Sequence, residues 1–284
     1  MSYVPIDINS SVIKECKRRR LSDQTAKTYL YCINHFLNWC KKDLGKISKK
    51  DVREFLNYLS DKNLAGNTMN TYHMAIRFLF ENVFEKRMWI DIKYSKVPEK
   101  IQRFLTKEEI RKLLNAISNW KHRLMIEFLY GSGLRVSELI NIKVKDLNLE
   151  KDFGFVRNGK GGKDRLIVIP FIVKEKIKNL IKIENLNEEN FIFLSNRGSK
   201  YHVRSLQQIV KKASKKSKIK DWKEIHPHTL RHSFATHLIE SGNSINEIQS
   251  VLGHKSPETS MIYVHSNAGK LINIKSPLDN FPKT

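Results

Sequence analysis

The sequence predicts a mainly α chain with a small antiparallel β-sheet, laid out as an N-terminal helical bundle followed by a larger mixed domain. Three observations predict it. Four stretches before residue 85 carry apolar residues at helical spacing, with short joints between them. Residues 91–103 (DIKYSKVPEKIQR) lose that periodicity and hold Pro98. Beyond residue 104 helical patterns resume, interrupted by two β-type runs on either side of a glycine- and lysine-rich turn.

The bundle reads as follows. Residues 1–10 form a lead-in. A short helical segment from Ser11 holds Lys17, Arg18, Arg19 and Arg20, a cluster suited to phosphate contact and assigned here to DNA binding. A second helix over 22–40 has the stripe Tyr29, Leu30, Ile33, Phe36, Leu37, Cys40. Gly45 breaks it. Ser48 as N-cap with Asp51 at the third helical position opens a third helix that buries Val52, Phe55, Leu56 and Leu59. Gly66 ends the next turn, and a fourth helix over 67–84 carries Tyr72, Ile76, Leu79 and Phe80.

The domain assignment is 1–90 for the helical domain, 91–103 for a linker, 104–266 for the larger mixed domain and 267–284 for a tail; the DNA-binding and catalytic roles of the first and third are what the family resemblance given below implies. In the larger domain Thr106 and Glu109 form a capping box before Ile110, Leu113 and Leu114. A helix over 120–130 is apolar on one side and ends in Gly-Ser-Gly. Gly131 and Gly133 turn the chain and bring Arg135 out at the start of another helix. Residues 144–149 lead into the sheet, whose hairpin strands are 154–157 and 165–169. Helices are expected at 172–183 and 203–217, and a short strand at 191–194. The tail holds Leu271, Ile272 and Ile274, an apolar patch that motivates docking on a neighbouring subunit.

Composition narrows the function classes. The chain has 284 residues, enough for one large domain or two small ones, and is 40% apolar, enough for a core. Its net charge is +23. The excess is spread along the chain: residues 1–100 hold 19 Lys/Arg against 11 Asp/Glu, and the remainder 33 against 18. A lysine-rich chain with basic surfaces everywhere would show this, and so would a polyanion held between two basic domains. No run of about 18 apolar residues exists, so no membrane span or membrane partner is expected. The first residues have no secretory pattern. Cys16, Cys32 and Cys40 lack metal-ligand spacing and read as reduced thiols. A cytoplasmic location follows.

Chemistry concentrates in residues 226–265, HPHTLRHSFATHLIESGNSINEIQSVLGHKSPETSMIYVH. His228 and Arg231 are three apart, on one face of a helical turn. His254 follows, then Tyr263. A set of imidazole, guanidinium, imidazole and phenol suits attack on a phosphodiester. Such an enzyme needs a nucleophile that stores the bond, cations around the phosphorus, and an acid for the departing oxygen. Arg135 and Arg231 present rigid forks to the non-bridging oxygens. Glu138, three after Arg135, is either an anchor for Arg135 or His228 or a solvated carboxylate. Lys160 and Lys163 stand in the turn between the two hairpin strands. His232 and His237 are five apart, not the spacing of a paired zinc site, and His232 is assigned to structural support. The GxxxxGK spacing at 154–160 (GFVRNGK) is followed by Gly161 where a nucleotide-binding loop needs Ser or Thr, and there is no divalent-metal carboxylate cluster, so no cofactor or metal is expected.

The 226–265 stretch, with GSGLRVSEL at 131–139 and RNGKGGKDRLIVIP at 157–170, resembles the tyrosine recombinases, or phage-type integrases, and within them the Xer group. The likeness covers roughly 104–266, and 11–90 more loosely. It implies the catalytic fold of that family behind the helical bundle. It implies Tyr263 as the nucleophile that forms a 3′-phosphotyrosine, and Lys160, in the family's Gly-Lys-Gly position, as acid for the leaving oxygen, with Lys163 its rival and a DNA contact. It implies His228 as base or relay and His254 as a phosphate ligand. The implied partner is double-stranded DNA with a specific site, bound by a homotetramer that is monomeric or dimeric when free. Dimer resolution in chromosome partition and the cell cycle is the expected role. Mobile-element integration, a type IB-like topoisomerase and a non-catalytic DNA-binding protein are the alternatives.

Overall fold

The computed structural model describes residues 7–86, 93–96, 103–157, 164–252 and 274–281. The chain divides into two compact units, residues 1–100 and 101–284.

In the first unit, α1 spans Ile8–Arg18, α2 Asp23–Cys40, α3 Lys49–Asp61 and α4 Gly66–Phe78. Helix α1 begins earlier than expected, because Asp7 caps it by accepting from the Asn9 and Ser10 N–H groups. The Ser48–Asp51 capping box of α3 is present, and Val52, Phe55, Leu56 and Leu59 are its buried face. Gly66 opens α4 rather than ending a turn. The expected single helix to residue 84 instead widens into a π-helical turn at Leu79–Val83, where the Phe84 N–H donates to the Leu79 carbonyl. Val12, Ile33, Phe36, Phe55, Ile76, Leu79 and Phe80 form the core. Cys16 and Cys32 are buried and free, and burial pushes the Cys32 thiol up to about 11.

In the second unit, α5 (Lys107–Asn115), α6 (Trp120–Gly131) and α7 (Val136–Leu139) precede the sheet strands β1 (Leu147–Asn148), β2 (Phe153–Val156) and β3 (Arg165–Val168). Helices α8 (Phe171–Ile183), α9 (Val203–Lys216), α10 (Pro227–Glu240) and α11 (Ile245–Leu252) follow. The sheet is antiparallel in the order β1-β2-β3, with Phe153 opposite Val168 and Val156 opposite Arg165. The strand expected at 191–194 reduces to single bridges, Lys143 with Phe191 and Leu194 with Lys200.

Helix α6 is not apolar on one side only. Every residue from Leu124 to Gly131 is buried, so α6 is the axis on which the unit packs. Its one buried carboxylate, Glu127, is paired with Arg123 at 3.0 Å and Lys176 at 2.6 Å. The two glycines after it do different things. Gly133 holds φ +58 and a Cβ there would lie 2.5 Å from the Phe234 ring. Gly131 is helical, and a Cβ on it would lie 2.5 Å from Pro170.

The tail behaves differently from expectation. Ile274, Ser276 and Leu278 are buried in their own unit. The Ser276 hydroxyl donates to the Gly131 carbonyl at 2.6 Å, Leu278 touches Gly131, and the Phe281 ring lies 6.2 Å from that of Tyr130. Ile274 therefore has an intramolecular seat and is not a free docking residue. Leu271 and Ile272 lie outside the described residues. No helix among the described residues is long and apolar enough to cross a membrane, and they contain no cluster of His, Cys, Asp and Glu able to hold a metal ion.

Candidate active site

The Gly-Ser-Gly turn after α6 delivers Arg135 as the N-cap of α7. One residue organises what surrounds it. Glu138 accepts from the Arg135 backbone N–H through Oε2 at 2.8 Å and from Arg135 Nη1 through Oε1 at 2.6 Å. The same Oε2 accepts from Arg165 Nη2 at 2.7 Å and lies 3.8 Å from Arg231 Nη1. Three guanidinium groups thus converge on one carboxylate that is only 6% exposed. Of the two readings of Glu138, the anchor is the one observed, and its partner is Arg135, not His228.

Arg231 rises from α10, whose first turn is built by Pro227 at N1 and a His226–Thr229 capping box. Its Nη1 donates to the Gly133 carbonyl at 2.6 Å and its Nη2 to the Leu252 carbonyl. Burial, then the charges of Arg165 and Arg135, push Arg231 down to about 9, which leaves it charged at neutral pH. His228, one turn earlier, is exposed at the rim. Partial burial lowers its pKa, with His226, Arg231 and Arg135 adding to the effect. These effects favour the neutral imidazole, the form that can accept a proton.

Arg165 was not expected. It is the first residue of β3 and 7% exposed. Its Nη1 donates to the Val251 carbonyl and its Nη2 also reaches the Gly133 carbonyl at 3.4 Å. The signal was available: strand alternation puts position 165 in phase with Ile167, which is fully buried. A charged residue in phase with core positions needs a partner inside the protein.

The structure brings Arg135, Glu138 and Arg231 together, with His228 at the edge. His232 is exposed on α10; the histidine that supports this helix is His237, whose Nδ1 is 2.8 Å from the Tyr130 hydroxyl in the core. Lys160, Lys163, His254 and Tyr263 lie outside the described residues. Among the basic residues of the first helix, Arg18 and Arg19 are both engaged with Glu15, at 2.6 and 2.7 Å, while Lys17 and Arg20 are exposed. Helix α9 shows a face not singled out from sequence: Arg204, Lys211, Lys212, Lys215 and Lys216 are exposed, opposite buried Leu206, Val210 and Ala213.

A pH dependence follows from Glu138. Burial pushes its carboxyl up, but the charge and hydrogen bond of Arg165 and the hydrogen bonds of Arg135 outweigh this and hold it at about 2, against 4.5 ordinarily. A folded pKa below the unfolded one stabilises above the unfolded value, and that stability is lost as pH falls through the folded value. The loss between 4.5 and about 2 is on the order of 3 kcal/mol. Glu138→Gln is expected to be destabilised most at neutral pH, with the gap to the unaltered chain closing across that window. Denaturant unfolding of both chains along a pH series checks it; a gap that does not change with pH would refute the pairing.

Comparison with known proteins agrees over most of the chain. Residues 103–270 match the phage integrase family and residues 9–90 the phage integrase N-terminal SAM-like domain. A tyrosine recombinase of Thermosipho africanus is 35% identical over 266 residues, covering 87% of this chain and 90% of the relative. Tyrosine recombinase XerA of Pyrococcus furiosus is 36% identical over 257 residues, covering 88% and 86%. Among solved structures, the XerH site-specific recombinase bound to a palindromic difH substrate in a post-cleavage complex is similar with a TM-score of 0.67 and 25% identity, over 93% of this chain and 82% of that one.

Proposed function

The chain belongs to the phage integrase family, the tyrosine recombinases, and from that premise we propose that it is a site-specific recombinase that resolves chromosome or plasmid dimers in the cytoplasm. The observation that carries the site assignment is the convergence of Arg135 and Arg231 on Glu138, with His228 one helical turn before Arg231. The similarity to tyrosine recombinases along most of their length supports the recombinase reading, and the choice of dimer resolution rests on the likeness of the sequence motifs to the Xer group.

In this reading the two guanidinium groups hold the non-bridging oxygens of the scissile phosphate. The Tyr263 oxygen attacks phosphorus as His228 takes the phenolic proton. The bond from phosphorus to the 5′ oxygen breaks, and Lys160 supplies the proton that makes it a hydroxyl. One phosphate ester replaces another, so no nucleotide hydrolysis is required. The guanidinium groups count most at the five-coordinate stage, when charge has built up on the oxygens they face. His254 adds a further donor to the phosphate. Rejoining runs the same steps backwards with a 5′ hydroxyl of the second duplex, in a tetramer on two sites. The exposed basic face of α9, with Lys17 and Arg20 of the first unit, supports phosphate contacts along a duplex.

The test is covalent capture. Fragmented chromosomal DNA of the host is incubated with the chain, protein-linked fragments are recovered, and the joined site is sequenced. The unaltered chain is expected to yield an adduct at one site, and Tyr263→Phe none. A plasmid dimer carrying two copies of that site should then become monomers. An adduct that persists in the phenylalanine variant would remove Tyr263 as nucleophile; adducts without resolution of the plasmid dimer would remove the dimer-resolution role.

A further inference from the structure

We propose that Arg165 is a positioning residue of the recombination site: by occupying one oxygen of Glu138 it keeps that carboxylate from neutralising Arg135 and Arg231, so that the site meets the phosphate with surplus positive charge. The inference rests on the assignment of Arg135 and Arg231 to the phosphate.

Arg165 is turned to the protein: its side chain is 6% exposed, Nη2 donates to Glu138 and Gly133, and Nη1 to Val251. Arg231 also holds two backbone carbonyls but lies 3.8 Å from Glu138, so of these two it is Arg165 whose charge is closely paired with the carboxylate. Arg135, at 19% side-chain exposure, remains open to a ligand. The two differ in duty. Glu138 gives Oε1 to Arg135 and Oε2 mainly to Arg165. Without Arg165, Oε2 would keep only the Arg135 backbone N–H and a guanidinium at 3.8 Å, and the carboxylate charge would fall on the two arginines that face DNA.

The charge count gives this a purpose. A buried carboxylate is needed because Arg135 and Arg231 otherwise repel each other without relief. Alone, however, it would leave one net positive charge for a five-coordinate phosphorus that carries two negative ones, one from the diester and one from the phenolate. A third guanidinium restores the match. Burial opposes the charge on Arg165, and Glu138 offsets that opposition. The Nε–H of Arg165 is buried without a hydrogen-bond partner among the described residues, so the protein's own acceptors do not exhaust this cation. Charge held in a poorly solvated place acts at longer range than charge in water.

Arg165 also shares a second acceptor with Arg231. Both reach the Gly133 carbonyl, and each holds one of the last two carbonyls of α11, Val251 for Arg165 and Leu252 for Arg231. Strand β3, the Gly133 turn and the end of α11 are thereby fixed to one another, two residues before His254.

The experiment measures single-turnover adduct formation by the full-length chain on its captured site, with either a normal phosphodiester or a methylphosphonate at the scissile position. The methyl group removes one negative charge from the reacting phosphorus. Arg165→Met is expected to slow the normal substrate on the order of a hundredfold and the methylphosphonate only a few-fold. A role confined to packing would slow both alike. Arg165→Lys keeps the charge, and decides the matter if the methionine variant does not fold. It is expected to stay within about tenfold of the unaltered chain on the normal substrate. Equal slowing of both substrates by Arg165→Met, no slowing at all, or a hundredfold loss in Arg165→Lys would overturn the assignment while leaving the tyrosine reading intact. Absence of any adduct from the unaltered chain on either substrate would overturn both.

Discussion

Arg135→Ala is expected to lower the rate of covalent adduct formation at saturating DNA by about a thousandfold or more, while DNA affinity changes only a few-fold. Removing one preorganised donor from a developing oxyanion commonly costs a factor of about 100 to 1000, and here the loss also leaves Glu138 less compensated. Affinity should hold because duplex binding is spread over many phosphate contacts, of which this is one. Arg135 stands at a helix N-terminus with its backbone N–H and its Nη1 both on Glu138, so its fork is aimed before DNA arrives. Arg135→Lys keeps the charge but cannot reproduce the fork, and should fall between the two. Quench-flow cleavage of a nicked duplex, paired with a binding titration, separates the effects. A variant that binds poorly yet cleaves bound DNA at the original rate would reduce Arg135 to an ordinary DNA contact.

A chain ending at residue 273 is expected to lose cooperative folding of its second unit, or to melt roughly 8–36 °C lower. Ile274 and Leu278 are 3% and 2% exposed, and re-exposing two such side chains costs about 3–6 kcal/mol. Loss of the Ser276 hydrogen bond leaves the Gly131 carbonyl unpaired in a buried place, adding about 1–3 kcal/mol. Those sums approach the whole stability of a typical domain, and a unit of this size shifts by about 2–4 °C per kcal/mol. A tail that served only to dock on a neighbouring subunit would, when deleted, impair assembly more than cleavage; with the end of the chain packed on α6, cleavage should fail along with folding. Leu278→Ala is the gentler version, expected to cost about 2–5 kcal/mol. Calorimetry decides: a truncated chain melting within a few degrees of the full one would show that residues 274–281 contribute little.

Much of this was legible in residue order. The capping boxes at Ser48 and Thr106, the pairing of strands 153–156 and 165–168 and the arginine after Gly-Ser-Gly are features of neighbouring chain, and local sequence decides them. What escaped was decided at a distance. Arg165 is in phase with an apolar strand position, but its partner is not readable until Glu138, 27 residues earlier in the chain, is known to sit beside it. Helix α6 has a one-sided pattern until α8, α10 and residues 274–281 close around it. His232 and His237 are indistinguishable by type, and only Tyr130 separates the buried ring from the exposed one. Ile274 makes the same point: a short apolar patch states that it wants cover, not whose surface supplies it, and for this residue the cover comes from its own unit.

The two pinned ends around residue 263 set a geometric bound. Leu252 is held through its carbonyl by Arg231, and Ile274 is sunk in the core. Tyr263 is eleven residues from each. A chain of that length reaches at most about 40 Å, so covalent geometry alone puts an upper limit on how far position 263 lies from each of two fixed points in its own unit.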